Sequence, residues 1–262
     1  LWDLETGREA LALEGHSAPI RGLLWRDDAQ LITSAMDLTL RTHDVGRAET
    51  TSVVTLPHFG DELARGADLT TLAIGSGDGS VLLEAPERGE RRVLEVFGER
   101  AWWVGFDPAG RRLAAASYDG SVALIDPRAG EVVNRWSGHE ARIYDADWRP
   151  DGEELTTGDL DGWVRGWDPE TGERVRQWRA RDGERVISLA WSADARWLLV
   201  TTDEGMRVHH PDGTLALRLD LGARTTAAAW TTDGRMIFAS EGRVHVLPLD
   251  TESWRADPEA LL

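Results

Sequence analysis

Histidines beside acids are the first residues in this 262-residue chain that could do chemistry. His209-His210 invites a metal-site reading. Adjacent residues of a strand point to opposite faces, so the two imidazoles cannot hold one ion without distortion, and a surface or edge pair is expected. His43-Asp44 fails for the same reason. The run Gly158-Asp159-Leu160-Asp161-Gly162 is rich in acids like a calcium loop, but it lacks the bidentate Glu that such a loop needs at its twelfth position. It reads as a β-turn. No phosphate-cradling loop and no dinucleotide fingerprint occurs. No catalytic residue, metal or cofactor is expected from these patterns.

The elements that must position these residues are short strands. Between Gly138 and Trp178 the segments Ile143–Trp148, Glu154–Thr157, Trp163–Trp167 and Arg174–Trp178 are apolar or alternating. They are separated by Pro150-Asp151-Gly152, Asp161-Gly162 and the run from Asp168 to Gly172, all tight-turn chemistry. Strands at this spacing predict an antiparallel meander. The same register recurs. A turn acid falls at Asp37, Asp78, Asp119, Asp161 and Glu204, in steps of 41, 41, 42 and 43 residues. An aromatic ends the first strand at Trp25, Phe106, Trp148, Trp191 and Trp230.

Gly138-His139 opening the unit and Trp167-Asp168 closing its third strand resemble the WD-repeat family of β-propellers, whose unit is about 40–45 residues and four strands. The resemblance covers residues 1–250. It implies an all-β propeller of four-stranded antiparallel blades, with six nearly complete blades and a partial one over residues 1–14. A seven-bladed parent is favoured over six-blade closure. Blade two is expected to have a weak or absent first strand near Glu62, and blade six has no fourth strand. Residues 251–262 read as the start of a C-terminal helix, with Asp257 as N-cap and Pro258 at the first helical position. The resemblance also implies a structural tetrad in each blade: indole, hydroxyl, imidazole and turn acid in one hydrogen-bonded row. By position only blade four carries all four, as Trp167, Thr157, His139 and Asp161. Blade one keeps His16, Thr33 and Asp37 but has His43 in place of the Trp. Elsewhere Glu84 and Ile125 replace the Trp, and Ile74 and Val200 the hydroxyl. A hydroxyl, imidazole and acid could suggest a hydrolase triad, but this order ends in an indole and lacks a nucleophile elbow or oxyanion hole.

Composition narrows the partners. The net charge is −17, which argues against binding nucleic acid or an anionic membrane surface, since both need a basic face. All 29 basic residues are Arg, which reads as coding bias. With no Cys there is no disulfide framework or thiolate ligand. The thirteen Trp supply buried area and indole donors for a repeated core. The expected function is a non-catalytic protein-interaction scaffold or sensor, cytoplasmic, within a bacterial multidomain signalling protein. Its candidate face is Met36, Tyr118 and Leu160 before the turn acids, with Trp102, Arg142 and Arg185 at first-strand entrances. Two other classes stay open. The segments from Asp168 to Trp178 and from Asp126 to Trp136 look like blade-docking motifs of quinoprotein dehydrogenases, which use a quinone and bound calcium. A structural spacer is the third reading.

Overall fold

The computed structural model describes residues 1–3, 6, 8–66, 70–85, 89–180, 183–220, 225–240 and 243–247. Regular structure among them is entirely β. The chain divides into two compact units, Leu1–Val104 and Gly105–Leu262. The fold is a propeller of six antiparallel blades.

In the first unit β1 (Trp2–Asp3) and β2 (Arg8–Glu9) form a short hairpin. Blade one is β3 (Ile20–Trp25), β4 (Gln30–Ala35), β5 (Thr39–Asp44) and β6 (Glu49–Thr55), paired in chain order. Blade two is β7 (Gly60–Arg65), β8 (Leu72–Ser76), β9 (Ser80–Ala85) and β10 (Glu90–Glu95). Its first strand is therefore neither absent nor weak, contrary to expectation. β7 is six residues long and pairs Gly60 with Ser76 and Leu63 with Ile74 across a bulge. The bulge absorbs Asp61-Glu62, which is why the sequence shows no clean alternation there.

Blade three is β11 (Ala101–Phe106), β12 (Leu113–Ser117), β13 (Ser121–Asp126) and β14 (Glu131–Ser137). In the second unit blade four is β15 (Ile143–Trp148), β16 (Leu155–Asp159), β17 (Trp163–Trp167) and β18 (Arg174–Arg179). Blade five is β19 (Val186–Trp191), β20 (Leu198–Thr202), β21 (Gly205–His209) and β22 (Leu215–Asp220). Blade six has three strands among the described residues: β23 (Thr225–Trp230), β24 (Met236–Ser240) and β25 (Arg243–Leu247). The expected C-terminal helix lies outside the described residues.

Middle strands such as β8, β12, β16 and β20 are buried along their whole length, while outer strands such as β14 alternate toward solvent. A strand covered on both faces loses the in-out alternation, and polar residues on it, such as Thr156, Thr157 and Asp159 of β16, are hydrogen-bonded, whereas one covered on a single face alternates. Glycine is required in the Asp-Gly turns. Gly120 has φ 83° and Gly162 φ 82°, and a side chain at Gly120 would strike the His139 backbone carbonyl.

In the second unit, neighbouring blades are joined by the aromatic that ends each first strand. Trp148 Nε1 donates to the Gly105 carbonyl (2.9 Å), Trp191 Nε1 to Thr156 Oγ1 (3.0 Å) and Trp230 Nε1 to the Ala190 carbonyl (2.8 Å). Asp145 and Asp147 accept from the Leu189 and Trp191 N–H groups, each at 2.7 Å. A repeated Trp thus supplies apolar area and one directed link at each joint.

Candidate functional site

The hydroxyl–imidazole–acid row of blade four is built by two strands, β16 and β17, and one loop. Gly138-His139 follows β14, and Gly138 leaves room for the Trp167 ring that lies over it. Trp167 Nε1 donates to Thr157 Oγ1 (2.8 Å), and Thr157 Oγ1 lies 2.6 Å from His139 Nε2. His139 Nδ1 lies 2.6 Å from Asp159 Oδ2. Donor bookkeeping fixes the direction: the Thr157 hydroxyl donates to Nε2, and Nδ1–H donates to the carboxylate. The acid is Asp159 and not Asp161. Asp161 is exposed, two residues further on, and its own N–H donates to Asp159 Oδ1 (3.0 Å). Asp159 sits at the buried end of β16, where Arg165 Nη1 also reaches it (2.9 Å) and the Trp163 N–H caps it (2.8 Å). The guanidinium of Arg165 presses against His139 as well. In blade one the equivalent of Asp159 is Ala35, so the turn residue must supply the carboxylate there.

Blade one makes a complete row with a histidine in the indole position. His16 Nδ1 is 3.0 Å from Asp37 Oδ2, His16 Nε2 is 2.7 Å from Thr33 Oγ1, and Thr33 Oγ1 is 2.9 Å from His43 Nε2. Thr50 Oγ1 is 3.1 Å from His43 Nδ1 and donates to it, which leaves Nε2–H to donate to Thr33 as an indole would. Blade two holds a pair that the sequence reading missed. His58 Nε2 lies 3.0 Å from Asp78 Oδ2. The signal was present, because His58 follows His16 by one 42-residue period. It carried no Gly before it, so the Gly-His pattern passed over it. Blade five substitutes a different polar core, also missed. Arg207, 42 residues after Arg165, is buried and bonds Glu184 Oε1 and Oε2 at 2.9 and 3.2 Å. His209 is buried while its neighbour His210 is exposed, so the two do not face one ion.

The blade-four row is sealed. Thr157 is 0 % and His139 6 % exposed, so the hydroxyl cannot meet a substrate. Burial pushes the His139 imidazole below its ordinary range, Arg165 adds to this, and Asp159 opposes it. Burial also lowers His43, helped by His16 and Arg41. Burial would raise Asp159, but the hydrogen bonds from His139, Trp163 and Arg165 hold it below the usual carboxylate range. His139 and His43 are therefore neutral connectors. No group of three or more His, Cys, Asp or Glu could hold a metal among the described residues.

A pH dependence follows for His43. Its folded pKa is depressed, so its contribution is intact above about 6.5, the unfolded value, and is lost as pH falls from there through the lower folded value. Asp147 and Glu62, pushed up to about 7 chiefly by burial, act in the opposite direction over the same range. The readout is therefore a difference. The melting temperature of His43→Trp relative to the wild type is expected to rise as pH drops from 7.5 toward 5, on the order of the shift that one depressed histidine gives. A difference that is flat or falls over that interval refutes the assignment.

The expected interaction residues fall in both units. In the first, Met36 is exposed beside the Asp37 turn. Trp102 lies between two guanidiniums, Arg21 at 4.9 Å and Arg100 at 4.8 Å from its ring centroid. In the second, Arg142 stacks on Tyr118 at 5.1 Å. Leu160 is half-buried, and its N–H donates to the Arg142 carbonyl (3.1 Å). The exposed Arg185 bonds Asp203 through its backbone N–H (2.9 Å). No helix among the described residues is long and apolar enough to cross a membrane.

Residues 95–126 and 130–168 match the family model described as WD domain, G-beta repeat. Apoptotic protease-activating factor 1 of Danio rerio is 27% identical over 154 residues, 55% of this chain and 12% of that protein. WD repeat-containing protein SL1-17 of Schistosoma mansoni is 31% identical over 135 residues, 51% of this chain and 45% of that protein. The chain thus spans less than half the length of these relatives. A chain in the crystal structure of the mitotic checkpoint complex superposes with a TM-score of 0.80 at 21% identity, covering 93% of this chain and 78% of that one. That likeness shows the fold alone.

Proposed function

We propose that this chain, for which the matched blades support the WD40-repeat β-propeller family, is a non-catalytic protein-interaction scaffold. The observation that carries the reading is the sealing of the blade-four hydroxyl–imidazole–acid row. Side chains that could have done chemistry are spent on holding blades, while Arg–aromatic pairs stand at the strand entrances. Stacked Arg and aromatic side chains are typical interface anchors. The binding face is formed by Tyr118, Arg142, Leu160 and Arg185 in the second unit, with Met36 and Trp102 at the equivalent positions of the first. The row His139, Thr157, Asp159 and Trp167 is the structural tetrad of this scaffold.

The proposal extends to the setting. The partner is a protein and not nucleic acid or membrane, on the charge of −17. A longer, multidomain signalling parent is supported by the length of the relatives, a bacterial source only by the Arg-only composition, and a cytoplasmic setting by the lack of any cysteine needing oxidation. A seven-bladed parent is supported by the pairing of Trp2 with Glu9 and Asp3 with Arg8, which gives the first residues their own sheet.

The test is partner capture with the chain as bait. Tyr118→Ala combined with Arg142→Ala is expected to reduce capture at least about tenfold, the effect of losing one interface hot spot. Unchanged capture, with loss on substituting the opposite strand ends, would place the face elsewhere.

A further inference from the structure

In each four-stranded blade among the described residues the outer strand ends its sheet, and that of blade four differs from the rest in charge. Each of β6, β10, β14 and β22 carries at least one acid. β18 carries Arg174, Arg176 and Arg179 and no acid, in a chain whose net charge is −17. Charged side chains also keep free edges from pairing with one another. That role would call for charge on every outer strand, yet β6, a longer strand than β18, holds a single charged residue, Glu49.

The backbone of β18 is laid out for a further strand. Ala180 N–H donates to the Gly162 carbonyl (2.9 Å), and the register pairs Trp163 with Arg179, Val164 with Trp178 and Arg165 with Gln177. Ladder bonds in an antiparallel pair fall on alternate residues. Trp178 therefore bonds β17, and Gln177 turns its N–H and C=O to the open side. Gln177 is exposed, as are Arg174 and Val175. Two of the arginines are held from behind. Arg176 is paired with the buried Glu154, so its charge is already matched. Arg179 stands over the Trp163 ring at 4.9 Å, and Arg165 lies against the same ring at 5.1 Å. A guanidinium settled on an aromatic face has less freedom to lose when it meets a carboxylate. Arg174 and Arg179 lie about 17 Å apart along the strand, so one extended segment can meet both.

We propose that β18 is a docking edge for an extended acidic segment of a protein partner, which adds to blade four as a further strand. Main-chain bonds to the open edge give such an addition its affinity, and side chains at alternate positions give it specificity. The occupant is argued from charge. Carboxylates on the added strand meet Arg174 and Arg179, and the acidic remainder of the chain disfavours the same segment elsewhere. The inference rests on the scaffold reading, with this outer edge as a contact separate from the rim.

The probe is a dye-labelled peptide of alternating Glu and Val, followed by fluorescence anisotropy with the whole chain. Saturable binding that weakens with added salt is expected. The same peptide N-methylated at every residue keeps its charge but donates no main-chain bond, and it should bind at least about tenfold more weakly. Gln177→Pro removes an outward N–H and no ladder bond, so it should keep the melting temperature and lose binding by a similar factor. Arg174→Glu with Arg179→Glu should also lose binding, and it serves if the proline variant misfolds. Tyr118→Ala with Arg142→Ala should leave peptide binding unchanged, so failure of the rim face and failure of this edge are read separately. No binding by the wild type, equal binding of the N-methylated peptide, or undiminished binding by the edge variants overturns the proposal. Equal binding of a short oligothymidylate also overturns it, since charge alone then suffices. Sedimentation showing a wild-type dimer that Gln177→Pro dissociates overturns it too, since a second copy then holds the edge.

Discussion

Arg207→Met is expected to be among the most damaging single substitutions in the chain, at a cost of about 3–5 kcal/mol. Arg207 is 1 % exposed and holds Glu184 with both carboxylate oxygens. Its Nη1 also donates to the Met206 carbonyl at 2.8 Å, and Nη2 lies 2.9 Å from the half-exposed Asp220. Removing the guanidinium leaves Glu184 charged, buried and without its main partner. The cost of that isolated charge exceeds what the pair contributed, because bringing two charges out of water nearly cancels their attraction. The double variant Arg207→Met with Glu184→Leu should therefore recover most of the loss. Denaturant unfolding of both single variants and the double variant measures the coupling. A loss under about 1 kcal/mol for Arg207→Met, or no recovery in the double variant, contradicts this account.

The second large effect concerns the choice of acid in blade four. His139→Ala is expected to cost about 1–3 kcal/mol by leaving Thr157 and Asp159 short of partners. Asp159→Ala should cost at least as much, because it also strands the buried Arg165. Asp161→Ala, at an exposed turn, should stay within about 0.5 kcal/mol of the wild type. Thermal unfolding of the three variants at neutral pH decides the matter. Equal losses at Asp159 and Asp161 would mean that the turn acid shares the role, and the row described above would need revision.

Much of the architecture was legible because it follows from repetition. A period near 42 residues, tight-turn residues and strand-length apolar runs placed every blade. Ile143–Trp148, Trp163–Trp167 and Val186–Trp191 coincide with their strands end to end. What stayed hidden were departures from the period. β7 carries a bulge at Asp61-Glu62 that breaks alternation without breaking the strand. His58 fills the imidazole position without the glycine that marks its siblings. Arg207 was invisible as a core residue because burial of a charge depends on a partner 23 positions away, and local pattern cannot specify that contact.

The sequence alone determined the strand count, the meander order and the residue types available to each row, since alternation and turn chemistry are local properties of the chain. The tertiary structure decided which acid meets His139. Asp159 and Asp161 are both within reach along the chain, and they differ only in which one β16 turns inward toward Arg165 and which it leaves in water. It also decided that Thr157 and His139 are sealed, since burial belongs to the packed blades and not to the residues.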